Sequence, residues 1–258
     1  MVERLSFYLD RPSVLHRLNP TTKLSVAFTL ILIAFLGKGL WLPSSLFLFI
    51  LTPLSLLGQV GREFLGTTVR LLLPLFAFLF VMQSLFYPGG RTVLFSFWVF
   101  SVKLEGVQFA FLTATRILVM VCSFLLLLLT THPGVLLLDL TRRGLPASVA
   151  YILASTLQII PQMRAKAATI LDAQRSRGLR TGGNLLQRIR ALLPLVGPLV
   201  FGSLVDVEER AIAIEARGFH AARRKTSLIE IEDRPLERVL RWLCLVALLF
   251  ALVSSLWR

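Results

Sequence analysis

The chain has 258 residues, of which 55% are hydrophobic and 16% are charged, and its mean hydropathy is +0.75. This composition is typical of a membrane protein and argues against an ordinary soluble domain. A formal net charge of +14 would indicate nucleic acid binding in a soluble protein, but these charges are segregated along the chain in the way that membrane topology produces. We therefore expect the lipid bilayer as a partner and no nucleic acid.

Five apolar runs approach the roughly 20 residues that a helix needs to cross a bilayer. They cover Leu24–Leu36, Leu40–Gly58, Thr68–Tyr87, Val107–Thr130 and Val239–Trp257. The predicted fold class is an all-α membrane protein with about five transmembrane helices. Residues 1–130 would contain the first four spans, residues 131–235 a separate cytoplasmic module, and residues 236–258 the last span.

The distribution of cations predicts the orientation of these spans. If the N-terminus is cytoplasmic, the arginine-rich module is also cytoplasmic, and only a few cations lie outside. Short basic loops prefer the cytoplasmic side, so we expect a multi-pass protein with its N-terminus inside. The outer loop after Tyr87 has a Pro-Gly-Gly turn and alternating aromatic residues, which predicts either a short hairpin or an interfacial segment.

The region between the fourth and fifth spans contains two apolar runs, which begin at Pro146 and Ala191. If both runs crossed the membrane, a strongly basic loop would lie outside it, against the usual charge bias. The second run is also interrupted by Pro194, Gly197 and Pro198. We expect both runs to form helices that lie at the membrane interface or dip into it.

Two amphipathic segments follow these runs, and each predicts a helix of roughly four turns. Their apolar positions are Met163, Ala167, Ile170 and Leu171 in the first segment and Leu204, Val207, Ala211 and Ile214 in the second. Each segment ends at a glycine, Gly178 or Gly218, which favours a left-handed residue that closes the helix. The module is therefore predicted to contain two or three long amphipathic helices.

An arginine precedes the glycine at both helix ends. The two motifs are Ser176-Arg177-Gly178 and Ala216-Arg217-Gly218. A cation is favoured in the last helical turn, and a planar guanidinium can also bind a partner's carboxylate or carbonyl groups. A third copy, Arg143-Gly144, shows that the dipeptide also serves ordinary helix ends. Two copies with a small residue before the arginine predict paired structures that contact paired partners.

The sequence lacks the motifs of an ATPase or a metalloenzyme. It has no Gly-rich phosphate loop, and His16, His132 and His220 stand apart without a metal-ligand spacing. We predict a non-catalytic chain with no cofactor and no metal. Cys122 and Cys244 lie in apolar runs and are expected to be small core residues.

The N-terminal segment SVLHRLNPTTKL and the two Arg-Gly motifs together resemble the transmembrane T component of energy-coupling factor (ECF) transporters. This family includes the Q subunits of cobalt and nickel uptake systems. The resemblance covers most of the chain, and the first motif departs from it in having Ser176 where alanine is more usual.

The resemblance implies a cytoplasmic module of coupling helices whose Arg-Gly ends each dock on one of two ATP-binding-cassette (ABC) ATPases. The docking residues would be Ser176, Arg177, Gly178, Ala216, Arg217 and Gly218. It also implies a membrane-embedded substrate-capture (S) subunit as a partner and the uptake of a vitamin or a transition-metal ion. The location implied is the plasma membrane of a prokaryote.

Two other interpretations remain open. Arg116 lies within the fourth span, where a charge favours either a functional role or a packing role, and Gln83 or Gln108 are its expected hydrogen-bonding neighbours. If the chain were a self-sufficient secondary transporter or channel, Arg116 and Gln83 would line the transport path. A membrane scaffold whose basic helices bind anionic lipid is a further alternative. Whichever of these functions holds, Asn19 is expected to cap the first membrane helix with its side chain.

Overall fold

The computed structural model describes residues 8–9, 11–37, 39–88, 92–97, 100–179, 184–219, 221 and 233–256. Nine helices and one two-stranded hairpin lie in this part of the chain. The elements are α1 (Val14–Arg17), α2 (Pro20–Leu36), α3 (Leu42–Leu57), α4 (Gly61–Phe86), β1 (Val93–Phe97), β2 (Phe100–Lys103), α5 (Leu104–Thr130), α6 (Pro133–Arg142), α7 (Ala147–Ser176), α8 (Leu185–Ala216) and α9 (Pro235–Leu256). The prediction of an all-α membrane protein is confirmed. The antiparallel pair β1–β2 shows that the loop after α4 forms the hairpin of the two alternatives.

Two helices, α4 with 26 residues and α5 with 27 residues, are long and apolar enough to cross a membrane by length and composition. The helices α2 and α3 are shorter and apolar, and α9 has 22 residues. These five helices correspond to the five predicted spans, with ends that differ by up to seven residues, and the number of crossings stays a prediction. The helices α4, α5 and α9 begin before their apolar runs, because each has an acidic residue in its favourable first turn: Glu63, Glu105 and Glu237.

The chain forms two compact units. Among the described residues, one unit contains α7 and α8, and the other contains α1 to α6, the hairpin and α9. In the larger unit α5 packs against α2, α3 and α4. Its Cys122 is fully buried in an apolar core with Ala34 of α2, Leu51 of α3 and Phe64 of α4. Cys122 is therefore a core residue, as predicted, whereas Cys244 is only partly buried.

The first turn of α2 is capped by two carboxylates from distant helices. Asp139 of α6 is 4% exposed, and its Oδ2 accepts hydrogen bonds from the backbone N–H of Thr21 at 3.1 Å and from the Thr21 hydroxyl at 2.7 Å. Glu237 of α9 is 2% exposed, and its Oε2 accepts from the backbone N–H of Asn19 at 3.2 Å. Helix N-termini favour negative charge and leave N–H groups without an intrahelical partner. These contacts therefore hold α2, α6 and α9 together.

The prediction that Asn19 caps α2 with its own side chain is wrong. Asn19 precedes the helix but its side chain makes no capping bond. Its Nδ2 instead donates to Asp233 Oδ1 at 3.2 Å. The physical reason is competition, because the buried Asp139 already accepts from the N–H of Thr21, which lies in the first turn.

Asp233 extends the same polar cluster at the start of α9. Both of its oxygens accept from Arg241 at 2.8 Å, and it also lies 3.5 Å from Arg238 and 3.9 Å from Arg143. The hydrogen bond from Arg241 is the main reason that the pKa of Asp233 is lowered from its ordinary value. The residue therefore stays ionised, and it links α9 to the C-terminal end of α6.

The antiparallel helices α2 and α5 each have a cationic side chain that donates hydrogen bonds to carbonyl groups at the C-terminal end of the other helix. Arg116 of α5 donates from Nε to Ala34 O at 3.2 Å and from Nη2 to Gly37 O at 2.9 Å, at the C-terminal end of α2. Lys23 of α2 donates to Thr130 O at 2.7 Å, in the last residue of α5. Each cation satisfies carbonyl groups that have no partner within their own helix.

These hydrogen bonds to the end of α2 give the charge of Arg116 a structural role and require no transport path. Among the described residues, its side-chain hydrogen bonds go to the backbone carbonyls of Ala34 and Gly37, so the prediction of Gln83 or Gln108 as its hydrogen-bonding neighbours is wrong. The guanidinium carbon of Arg116 also lies 5.9 Å from the centroid of the Phe35 ring. A sequence pattern shows that a charge lies inside a span, but not which helix end it reaches.

Replacing Asp139 tests the capping cluster. Asp139→Ala removes the acceptor of both Thr21 bonds and leaves Arg143 without its 3.2 Å partner. We expect a loss of about 3 kcal/mol in the free energy of unfolding, since breaking a buried charged pair has this order of cost. Unfolding in detergent, followed by near-ultraviolet circular dichroism, measures the change.

The control is Asp172→Ala, which removes a carboxylate that is 72% exposed and pairs only within its own helix. Exposed substitutions of this kind change stability by about 0.5 kcal/mol or less. Equal effects of the two substitutions would contradict the capping role of Asp139.

Candidate functional site

Three helices in the described residues end with the same backbone geometry at an Arg-Gly dipeptide. The glycine φ angles are +115° at Gly144, +95° at Gly178 and +67° at Gly218. The closing hydrogen bonds run from Leu145 N to Leu140 O at 3.0 Å, from Leu179 N to Gln174 O at 3.0 Å and from Phe219 N to Ile214 O at 3.1 Å. A left-handed glycine followed by this bond is the Schellman helix ending. The predicted closure at Gly178 and Gly218 is confirmed.

The three arginines differ in what their guanidinium groups contact. Arg143 is paired within its own unit, with Asp139 at 3.2 Å and with Asp233 at 3.9 Å. Arg177 and Arg217 are exposed, and neither forms an ion pair or a side-chain hydrogen bond to the residues that the structure describes. The same dipeptide thus gives one structural arginine and two that are open to a partner.

The residues next to Arg177 and Arg217 have small side chains or none, and they leave open space around the two guanidinium groups. Ser176 and Ala216 precede them and are exposed, and the Ser176 hydroxyl donates to Asp172 O in its own helix at 3.1 Å. A Cβ added at Gly178 would meet no atom within 4 Å, and one added at Gly218 would meet only Ala221, at 3.8 Å. Another chain could therefore approach either guanidinium closely.

The helices that carry these ends are longer than the sequence indicates. α7 has 30 residues and α8 has 32, so the prediction of about four turns each is wrong. Each amphipathic segment continues the apolar run before it as one helix. The second run is a helix, as predicted, and Pro194 and Pro198, which interrupt its apolar sequence, lie inside α8. A proline removes only its own N–H bond, and the bonds of the adjacent turns maintain the helix.

Polar and aromatic contacts join α7 to α8. Lys166 forms an ion pair with Asp206, and Arg210 donates to Gln162 Oε1 at 2.6 Å. Near the end of α8, the rings of Phe219 and Tyr151 lie 5.4 Å apart. Phe219 directly follows Gly218, so this ring contact holds the Arg-Gly end of α8 against α7.

The two helices leave much apolar surface exposed. None of the α7 residues, all of which the structure describes, is buried. The exposed apolar side chains include Ile152 and Leu153 on α7 and Phe201, Leu204 and Ile212 on α8. Exposed apolar surface of this extent is typical of contact with lipid or with another protein.

The histidines have structural contacts. His132 Nδ1 accepts from the N–H of Gly134 at 3.2 Å and caps α6, and His16 lies 2.7 Å from the Ser13 hydroxyl. His220 lies outside the described residues. Across the described ranges, no group of three or more His, Cys, Asp or Glu side chains could hold a metal ion.

Comparison with known proteins identifies the class. The model of a family described as "Cobalt transport protein" (CbiQ) matches residues 11–228. Relatives with the name "Energy-coupling factor transporter transmembrane protein EcfT" are 31% identical in Lacticaseibacillus paracasei, over 92% of this chain and 89% of the relative. The relative in Streptococcus equi is 30% identical over 86% of this chain and 85% of its own length. The relative in Bacillus subtilis is 29% identical over 95% of this chain and 96% of its own length.

These matches show a membrane component of a transporter. The chain belongs to the cobalt transport protein (CbiQ) family. They also confirm its resemblance to the T component of ECF transporters.

Alanine substitutions test the helix ends. Gly178→Ala places a Cβ on a residue with φ of +95°, which costs about 1 kcal/mol and should accelerate amide hydrogen exchange in the last turn of α7 about fivefold. Gly202→Ala is the control, since Gly202 lies inside α8 and an added Cβ there would also meet no atom within 4 Å. It should slow local exchange, because alanine stabilises a helix relative to glycine. Changes of the same sign would contradict this assignment.

Proposed function

We propose that this chain couples ATP hydrolysis on two separate ABC-type ATPase subunits to a membrane-embedded substrate-capture subunit. The chain itself is non-catalytic in this proposal, and the complex imports a vitamin or a transition-metal ion. The observation that carries the proposal is a pair of exposed arginines at Schellman ends, Arg177 and Arg217, which form no ion pair with the residues that the structure describes. The names of the relatives support a role in an energy-coupling factor transporter.

The chemistry of the two ends suits docking on ATPases. A guanidinium offers five donors in a fixed plane and binds carboxylates or clustered carbonyl groups with charge-assisted hydrogen bonds. The docking residues would be Ser176, Arg177 and Gly178 for one ATPase and Ala216, Arg217 and Gly218 for the other. Arg217 also lines an open groove of about 350 Å³ with Tyr151, Gln158 and Arg210. This groove gives the second partner a recess beside the arginine.

The helix pair could transmit displacement because each helix is continuous and the two helices are linked to each other. A continuous helix of 32 residues is about 48 Å long, and the contacts of Lys166 with Asp206 and of Arg210 with Gln162 link the two helices. Movement of the ATPases would then move both docked ends, and the exposed apolar faces would pass the movement to the capture subunit. This requires docking contacts of different strength in the two ATPase states, since equal contacts shift no equilibrium.

The proposed location is the plasma membrane of a prokaryote, with the N-terminus in the cytoplasm. This orientation places the arginine-rich α7–α8 module on the same side as the ATPases, in agreement with the charge bias of membrane loops. The division into spans at residues 1–130, a module at 131–235 and a last span at 236–258 is part of the proposal.

Substitution of both arginines tests the proposal. Arg177→Ala and Arg217→Ala should each remove a charge-assisted contact of about 1.5–3 kcal/mol and lower the affinity of that end about tenfold to a hundredfold. The double variant should lose the ATPases while the chain still inserts into the membrane. Affinity purification in mild detergent, with quantification of ATPase subunits and of ATP hydrolysis, measures the loss.

Two controls separate docking from charge and from folding. Arg175→Ala removes an exposed cation near the same helix end, which pairs with Asp172 at 3.3 Å, and it should retain the ATPases. Arg143→Ala changes the third Arg-Gly copy, whose guanidinium is already paired, and it should lower stability without a specific loss of ATPase. Normal ATPase recovery in the Arg177/Arg217 double variant would contradict the proposal.

A further inference from the structure

The N-terminal half of α4 carries two arginines on one face. Arg62, Gly66 and Arg70 are spaced four residues apart, so they lie one above the other on the helix. All three are exposed. They border an open groove of about 710 Å³, whose lining residues are Arg62, Glu63, Gly66, Thr67, Arg70 and Leu71.

The acidic residue in this groove is already neutralised from another direction. Arg11 forms an ion pair with Glu63 at 2.5 Å and also donates to Gln59 O. Arg62 and Arg70 form no ion pair or side-chain hydrogen bond to any described residue. Arg62 also interacts electrostatically with Glu63, so among the described residues one carboxylate faces three cations, and the groove keeps an excess of positive charge.

The surroundings of these cations are apolar. Leu65 is 40% exposed, Val69 is 56% exposed and Leu71 is 57% exposed, and the helix is one of the two that are long and apolar enough to cross a membrane. Arginine on a lipid-facing surface is costly unless its charge reaches the headgroup layer or an anion. Arg70 lies about 12 Å along the helix axis from Arg62, and thus extends the positive charge into the apolar segment.

Gly66 lies between the two arginines and leaves the helix backbone there without a covering side chain. A Cβ added at Gly66 would have no atom within 4 Å, and the adjacent Thr67 is exposed with a hydroxyl that can donate. A group of headgroup size can therefore lie against the helix between the two guanidinium groups. This combination of cations, a hydroxyl and flanking apolar side chains fits a molecule that is anionic at one end and apolar at the other.

We infer that the groove of Arg62, Gly66 and Arg70 binds the phosphodiester headgroup of an anionic phospholipid. The guanidinium groups donate to the phosphate oxygens, as arginine commonly does with phosphate. The acyl chains lie along the exposed leucine and valine side chains of α4. The site shares no residue with the proposed docking ends at Arg177 and Arg217, which belong to the other compact unit, and the inference does not depend on the proposed ATPase docking.

The test measures lipid retention by the purified full-length chain. Wild type and Arg62→Gln/Arg70→Gln are titrated in detergent with phosphatidylglycerol, and bound lipid is counted by native mass spectrometry. Phosphatidylcholine is the neutral lipid control, and inorganic phosphate tests a free anion. Arg164→Gln/Arg175→Gln is the matched protein control, because it also removes two exposed cations from the other unit.

We expect wild type and the Arg164/Arg175 variant to bind phosphatidylglycerol more tightly than phosphatidylcholine. The Arg62/Arg70 variant should lose about thirtyfold in affinity for phosphatidylglycerol only. An unchanged affinity in that variant, or an equal loss in the control variant, would overturn the inference. Saturation of the site by millimolar inorganic phosphate, with no added affinity from the lipid, would overturn the lipid as the occupant.

A second variant keeps both charges. Gly66→Leu adds a side chain at a position where a Cβ would meet no atom within 4 Å, and leucine should favour the helix relative to glycine. It should lower phosphatidylglycerol binding by blocking the groove, and it serves the test even if the double arginine variant fails to fold. Full binding by Gly66→Leu would contradict a site at this position.

Discussion

The two carboxylates at the first turn of α2 are the interaction on which the larger unit depends. Asp139 and Glu237 come from helices on opposite sides of the α7–α8 unit in the sequence, and both contact the start of α2. Asp233 adds contacts to Arg143 and Arg241. The chain therefore leaves for α7 and returns from α8 at points that are held by one buried polar cluster. Within the larger unit, this cluster joins the C-terminal end of α6 to the start of α9.

The Arg-Gly dipeptide shows how one local structure can serve two purposes. In all three copies the glycine closes the helix with the same backbone hydrogen bond, so local physics sets the ending. The purpose is decided by the acidic side chains nearby, since Arg143 has Asp139 and Asp233 within reach. Arg177 and Arg217 have no such partner among the described residues. Unpaired guanidinium groups at rigid ends are suited to binding another protein, and this difference underlies the proposed coupling role.

The sequence predicted the helical segments and the glycine closures because apolar runs and left-handed glycines are local signals. It failed at Asn19 and Arg116, whose partners are Asp233 and backbone carbonyls of α2, far away in the sequence. It also predicted two helices of about four turns where α7 and α8 have 30 and 32 residues, because a local pattern does not show whether an apolar run and the amphipathic segment after it form one helix. The sequence also could not show that Arg143 differs from Arg177 and Arg217, because this difference depends on the ion pairs of Arg143 with Asp139 and Asp233 in the folded chain.

The central claim is that both Arg-Gly ends move when the ATPases change state. The most direct measurement is the distance from a spin label at Asp172→Cys, and in a second variant at Ile212→Cys, to a label at Leu57→Cys in the larger unit, three exposed positions, in the complete complex with Cys244 replaced by serine. Pulsed electron paramagnetic resonance should give different distance distributions in the nucleotide-free and ATP-bound states. An identical distribution in both states of a complex that still transports would contradict the account.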